Sequence, residues 1–240
     1  MRIAIIADIH ANLEALEKVF DILGTKPIDQ VVCLGDVVGY GADPNECLSR
    51  VQEAVPHILL GNHDQAAIDL TGVASFNPYA LASARWTNQQ LTEENKQVLR
   101  TFPYTLQLEG LLFVHSSPYQ PEEWHYIITP EDARDNFDHF QQPICFIGHS
   151  HVAGIFMSDH SGRVATKRGW DIRRGEKYII NVGSVGQPRD GDWRLSFGIL
   201  DTEQWTYEHV RSEYDVQTAS RKILQAGLPR LLAERILAGR

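Results

Sequence analysis

Metal-ligand side chains recur in this chain at one kind of place, directly after a short apolar run. "RIAIIADIH" ends in Asp8 and His10, and "QVVCLGD" ends in Asp36. "HILLGNHD" ends in Asn62, His63 and Asp64. "LLFVH" ends in His115, and "ICFIGHSH" ends in His149 and His151. A lone Asp in such a place is usually a helix cap, and a lone Asn a turn residue. Five separate runs that all end this way are improbable as capping alone. Carboxylate, imidazole and amide oxygen together suit borderline divalent ions such as Mn, Fe, Ni or Zn. One zinc needs only three or four protein ligands. Seven candidates, Asp8, His10, Asp36, Asn62, His115, His149 and His151, therefore suggest two ions. Asp8/His10 and His149/His151 are spaced i, i+2, which in an extended chain aims both side chains to one side. The other five histidines, His57, His125, His139, His160 and His209, follow no such pattern and read as surface or satisfied core residues.

The elements that must position these groups alternate. Residues 2–7, 30–35 and 57–60 read as buried strands. Between the first two, Leu13, Leu16, Val19, Phe20 and Leu23 recur at helical spacing and Gly24 closes the helix. The next helix opens with Asp43 as cap, Pro44 at its first position and Glu46 three residues after the cap. The resulting β-α-β-α-β order predicts a parallel, buried sheet. Ligands in such folds bind beyond the carboxyl ends of the strands. Residues 65–101 read as mostly helical, with a start signal at 91–95. Strand character returns at 104–114, 144–148, 154–158, 177–182, 195–201 and 204–210. The C-terminal stretch reads as two amphipathic helices broken at Gly227-Leu228-Pro229. With no repeat, low-complexity segment or linker, the simplest organisation is one domain over 1–240. It carries a helical insertion at 65–101 and C-terminal helices at 212–240.

The chain has 240 residues, 43% of them hydrophobic and 22% charged, the ordinary globular range. No apolar run approaches the roughly 20 residues of a membrane span. The start carries no signal-peptide pattern, so a cytoplasmic location is expected. Cys33, Cys47 and Cys145 lack close pairing or CxxC spacing and read as reduced core residues. The net charge of −9 and the lack of a basic run argue against bulk nucleic-acid binding. An acidic chain can still act on phosphates when bound cations supply the positive charge.

Together, Asp8-x-His10, Gly35-Asp36, Gly61-Asn62-His63-Asp64, His115 and Gly148-His149-x-His151 resemble the motifs of the calcineurin-like metallophosphoesterase superfamily. "GDVVGYGADPNE" and "NVGSVGQPRDGD" resemble its small bacterial and archaeal phosphodiesterase branch. The resemblance implies an α/β fold, a four-layer αββα sandwich of two mixed β-sheets flanked by helices. It also implies two metal sites. One would be held by Asp8, His10, Asp36 and His151, the other by Asp36, Asn62, His115 and His149, with the Asp36 carboxylate bridging. Mn is the first expectation, with Fe, Ni or Zn as alternatives.

By the same resemblance, two ions roughly 3.5–4 Å apart would share a hydroxide aimed at phosphorus. His63 would donate a proton to the leaving oxygen, and Asp64 would orient the His63 ring and raise its pKa. Related phosphatases read "GDxVDRG" after the second strand, where an arginine grips the phosphate. Here Gly39 and Tyr40 replace that pair, which favours a phosphodiester, since it carries less charge. Arg189 is a candidate phosphate contact, and Tyr119, Trp124 and Tyr126 are candidates to stack on a base or aryl group. The expected activity is metal-dependent phosphodiester hydrolysis of a small phosphate ester or nucleotide. A phosphomonoesterase or nucleotide pyrophosphohydrolase on the same metal pair is the alternative. A non-catalytic scaffold fits less well, because every ligand position is filled.

Overall fold

Period-two alternation along the strands decides which core each side chain fills. In the computed structural model, which describes residues 1–240, β1 (Arg2–Ile6) is buried on both faces. Ile3 and Ile5 point into one apolar cluster, and Ala4 and Ile6 into another. Strand β1 pairs in parallel with β2 (Gln30–Cys33), which pairs in parallel with β3 (His57–Ile58). On its other side β1 meets β10 (Leu195–Asp201) antiparallel, and β11 (Thr206–Ser212) forms the edge. The first sheet thus runs β11-β10-β1-β2-β3.

The second sheet comprises β4 (Thr105–Leu108), β5 (Leu111–Val114), β6 (Ile144–Ile147), β7 (Gly154–Ser158), β8 (Val164–Lys167) and β9 (Lys177–Asn181). Its order is β4-β5-β6-β9-β7-β8, with parallel pairing only at β5/β6 and β6/β9. Ile3, Ile5 and Val32 of the first sheet pack against Phe113, Phe146 and Ile180 of the second. Outside the first sheet, α1 (Leu13–Leu23), α2 (Pro44–Ala54), α7 (Val216–Gln225) and α8 (Arg230–Ala238) contribute Leu16, Leu48, Ile223 and Leu232 to one cluster. Outside the second sheet, α6 (Pro130–Phe137) places Ala133 and Phe137 on Val114, Cys145 and Ile147. The layers are helix, sheet, sheet, helix, the expected αββα sandwich. The cysteines are buried and free. No helix is long and apolar enough to cross a membrane.

Several expectations are corrected. The run 104–114 is two strands, because Glu109 and Gly110 both adopt positive φ and turn the chain. Strand β8 and helix α6 were not expected, although Thr129 forms a capping box with Asp132 and Pro130 takes the first helical position. Asp43 precedes α2 but makes no cap bond; its carboxylate pairs with Lys222 of α7 at 2.9 Å. Between residues 62 and 99 lie α3 (Asn62–Asp69), α4 (Pro78–Gln90) and α5 (Glu93–Leu99).

Candidate metal centre

Every sequence-identified donor lies at the carboxyl end of a strand or the start of a helix. Asp8 and His10 follow β1, Asp36 follows β2, His115 follows β5, and His149 and His151 follow β6. Asn62 is the first residue of α3. All but Asn62 are at most 5% exposed. The extended-chain reading of the i, i+2 pairs is wrong. Asp8, His10, Asp36, His149 and His151 all have φ between 51° and 64°. Non-glycine residues avoid this region, and clusters of such strain mark functional sites. Bonds between the loops hold them there. Asp8 N–H donates to Gly35 O at 3.0 Å, His10 N–H to Asp36 O at 2.9 Å, and His149 N–H to Asp8 Oδ2 at 3.0 Å. Gly148 permits this approach, since a Cβ there would lie 2.5 Å from Asp8 Oδ2.

The donors form two groups that share Asp36. Ligand atoms of Asp8, His10, Asp36 and His151 lie within 4.8 Å of one another, as do those of Asp36, His115 and His149. Asn62 Oδ1 lies 3.3 Å from His115 Nε2, at the second group.

Backbone carbonyls fix the imidazole tautomers. Nδ1 of His10, His115 and His151 lies 3.2, 3.0 and 2.6 Å from the carbonyl oxygens of Val38, Leu34 and Gln187. A carbonyl only accepts, so the proton sits on Nδ1 and Nε2 faces the site. His149 reverses the roles: its Nε2 donates to Trp124 O at 3.0 Å, leaving Nδ1 as donor atom.

The consequence is electrostatic. His10 Nε2 and His151 Nε2 face each other at 3.0 Å. Burial pushes the pKa of both well below the usual histidine range, so these are two lone pairs in contact. Asp36 Oδ2 is buried without a hydrogen-bond partner, 3.6 Å from His10 Nε2 and 3.4 Å from His115 Nε2. Burial alone would raise the Asp36 pKa, yet His115 and His63 hold it well below the carboxylate range. Burial also opposes charge on His115, but Asp36 raises its pKa to about 9. The facing lone pairs of His10 and His151 beside the Asp8 and Asp36 carboxylates repel one another unless a cation lies among them, and the proton held on His115 compensates only Asp36. The residues present therefore fit divalent metal.

The sequence pattern described as the calcineurin-like phosphoesterase superfamily domain matches residues 1–205. The chain belongs to this superfamily. A crystal structure of a metallophosphoesterase from Sphaerobacter thermophilus is 38% identical, with a TM-score of 0.88 over 100% of this chain and 99% of that one. An uncharacterized protein of Methanocaldococcus jannaschii is 37% identical over 99% of this chain and 98% of its own length. A hypothetical protein from Pyrococcus horikoshii is 18% identical with a TM-score of 0.80, covering 100% of this chain and 98% of that one, and shares the fold.

Around the ligands of this calcineurin-like chain, the other expected site residues divide. His63 is buried beside the cluster, its ring centroid 5.1 Å from that of His10. Its Nδ1 has no partner. Asp64 does not orient the ring: its oxygens accept from Val38 N–H at 3.0 Å and Gly61 N–H at 3.1 Å. Nor does it raise the His63 pKa, which burial lowers to about 4. Aromatic packing holds the ring instead, with Tyr40 tilted against it at 4.3 Å and Phe76 at 4.8 Å. Burial, reinforced by Asp36, pushes Asp64 itself up to about 7.

Arg189 lines the cavity over the ligands together with Asp36, His63, His149 and His151. It makes no ion pair; Gln187 Oε1 accepts from its Nη2 at 2.7 Å, and its guanidinium lies over Tyr40. Tyr119 is not at the site, because it stacks on His125 and His139. Trp124 contributes a backbone carbonyl to His149, while its indole N–H donates to Gln65 at 3.0 Å. Nothing in a tryptophan's side-chain type signals such a carbonyl. Tyr126 stacks on His149 at 4.0 Å and is 50% exposed. Asn12 serves structure: Oδ1 caps α1, and Nδ2 donates to Gly186 O and Tyr214 Oη.

Proposed function

We propose that the chain is a dinuclear metal-dependent phosphodiesterase acting on a small phosphate ester or nucleotide. One observation carries this reading: two groups of buried side-chain donors share the Asp36 carboxylate, whose Oδ1 accepts from His63 N–H while its Oδ2 has no hydrogen-bond partner. In this reading Asp8, His10, Asp36 and His151 hold one ion, and Asp36, Asn62, His115 and His149 the other. Mn is the first ion to test, then Fe, Ni and Zn. When bound, such ions lower the pKa of water and neutralise phosphoryl oxygens.

The chain's own residues do the rest. Arg189 faces the cluster as the one guanidinium lining its cavity and takes a phosphate oxygen. Tyr40 sets an uncharged ring 4.7 Å from His10, where related phosphatases carry arginine, so one charge on phosphorus suits the site better than two. His63 stands beside the donors as a neutral imidazole, and its N–H donates a hydrogen bond to the leaving oxygen, whose proton comes from water. Asp64 braces the loop after β2 against the start of α3, which keeps Asn62 and His63 in place.

The test joins elemental analysis to an activity panel at saturating Mn. A diester, a monoester and a dinucleoside polyphosphate are compared. The expected result is two metals per chain and the highest kcat/KM on the diester. Preference for the monoester or polyphosphate replaces the diester assignment, and no turnover with both metals bound removes the enzyme reading.

A further inference from the structure

A second cavity, of about 270 Å³, opens beside the ligands and shares Asn62, His63 and His149 with the space above them. Its far walls come from two separate segments. Phe76 and Asn77 precede α4, while Glu123 and Trp124 lie between β5 and α6; Tyr126 of that second segment also lines the space over the ligands. Phe76 packs tilted against the ring of His63, and Tyr126 stacks on His149. Each is only partly covered, and Tyr126 is half exposed. The cavity lies just below the size of typical small-molecule sites, roughly 300–1,000 Å³, and so takes one substituent rather than a whole large ligand.

Its charge is one-sided. No lysine or arginine lines it, and Glu123 is its carboxylate. Arg189 lines only the neighbouring space over the ligands. An anionic substituent is therefore drawn toward Arg189 and repelled from the Phe76 end. A flat, uncharged ring gains stacking at that end, and the Glu123 carboxylate is an acceptor for its N–H groups, while Asn77 Oδ1 is taken up in capping α4.

We infer that the Phe76–Tyr126 cavity is a subsite for an uncharged, planar heteroaromatic group of nucleoside size. The substrate is then a nucleoside phosphodiester, not a polyphosphate and not an ester of a small alkyl alcohol. This rests on the phosphodiesterase reading for the reaction, but binding of the ring itself is independent of it. Base stacking on one aromatic side chain is worth roughly a 5- to 150-fold change in binding.

Two measurements test it on the full chain. With Mn bound, kcat/KM is compared for thymidine 5′-(p-nitrophenyl phosphate) and methyl p-nitrophenyl phosphate, which release the same phenolate. The nucleoside ester is expected to be favoured about tenfold or more, and Phe76→Ala to cut that ratio about fivefold or more. Separately, saturation-transfer NMR follows thymidine and deoxyribose 5-phosphate on protein without added metal. Thymidine is expected to show transfer and to lose it in Phe76→Ala and in Tyr126→Ala, the latter at an exposed position. Thymidine binding decides the subsite whatever the turnover. Binding without hydrolysis of either ester keeps the subsite and removes the phosphodiesterase reading. Hydrolysis of both esters at equal kcat/KM, with no thymidine transfer, overturns the subsite and leaves that reading standing.

Discussion

At the scale of single residues, His63 shows what a buried ring gains from neighbours that are not hydrogen-bond partners. Tyr40 and Phe76 fix its plane while its Nδ1 stays free. His63→Ala should therefore lower kcat by about 10²- to 10⁴-fold and leave metal content unchanged by elemental analysis. Metal loss in step with activity would make His63 a ligand. His209, away from the cluster, gives a separate prediction. Burial lowers its pKa to about 4, and its Nε2 lies 2.7 Å from Ser196 Oγ. The folded value is below the unfolded value of about 6.5, so between them the unfolded chain binds the extra proton. Its contribution is thus complete above about pH 6.5 and falls as pH drops toward 4. Urea melts across that window should lose at most about 1.4 kcal/mol per pH unit through this group, and His209→Gln should flatten the slope by up to that amount. The donor types at strand ends were legible in the sequence because chemistry restricts which side chains bind metal. The Trp124 carbonyl and the actual use of Asp64 were not, since both depend on backbone atoms brought close by folding.

At the scale of elements, the first strands and helices could be read because their periodicity is strong and their ends are marked. Short β8 on the sheet edge has no such pattern, and α6 is announced only by Thr129 and Pro130. The 104–114 run hid its turn because Glu109 is not a usual turn residue, although Gly110 is. The left-handed backbone at the ligands was equally hidden, since side chains other than glycine rarely signal it. What makes that backbone possible is the close approach of the loops after β1 and β6. Gly148→Ala would place a methyl group 2.5 Å from Asp8 Oδ2 and 2.8 Å from Ala7 Cβ. Metal content should fall well below that of the unmodified chain. Gly154→Ala, six residues on at the start of β7, meets nothing within 4 Å and should keep full metal content. Equal metal content in the two variants would show that the loops yield and that the approach does not matter.

At the scale of the whole molecule, the recognised superfamily region ends at residue 205, yet the core does not. Leu232, fully buried on α8, joins Leu16 and Val19 of α1 and Phe197 of β10 in one cluster. The residues flanking α7 and α8 reach the site loops, because Gly191 N–H donates to Gly239 O at 2.9 Å and Tyr214 Oη accepts from Asn12. The C-terminal helices therefore complete the outer layer over the first sheet rather than trail from it. Leu232→Ala removes side-chain volume from a site with no exposure, at a cost of about 2–5 kcal/mol. For a chain of this size that lowers Tm by about 4–20 °C. Leu237 lies on the same helix but is 37% exposed, so Leu237→Ala should shift Tm by little. Thermal melts of both variants give the comparison. Similar small shifts would mean that α8 is loosely docked and that residues 1–205 carry the stability by themselves.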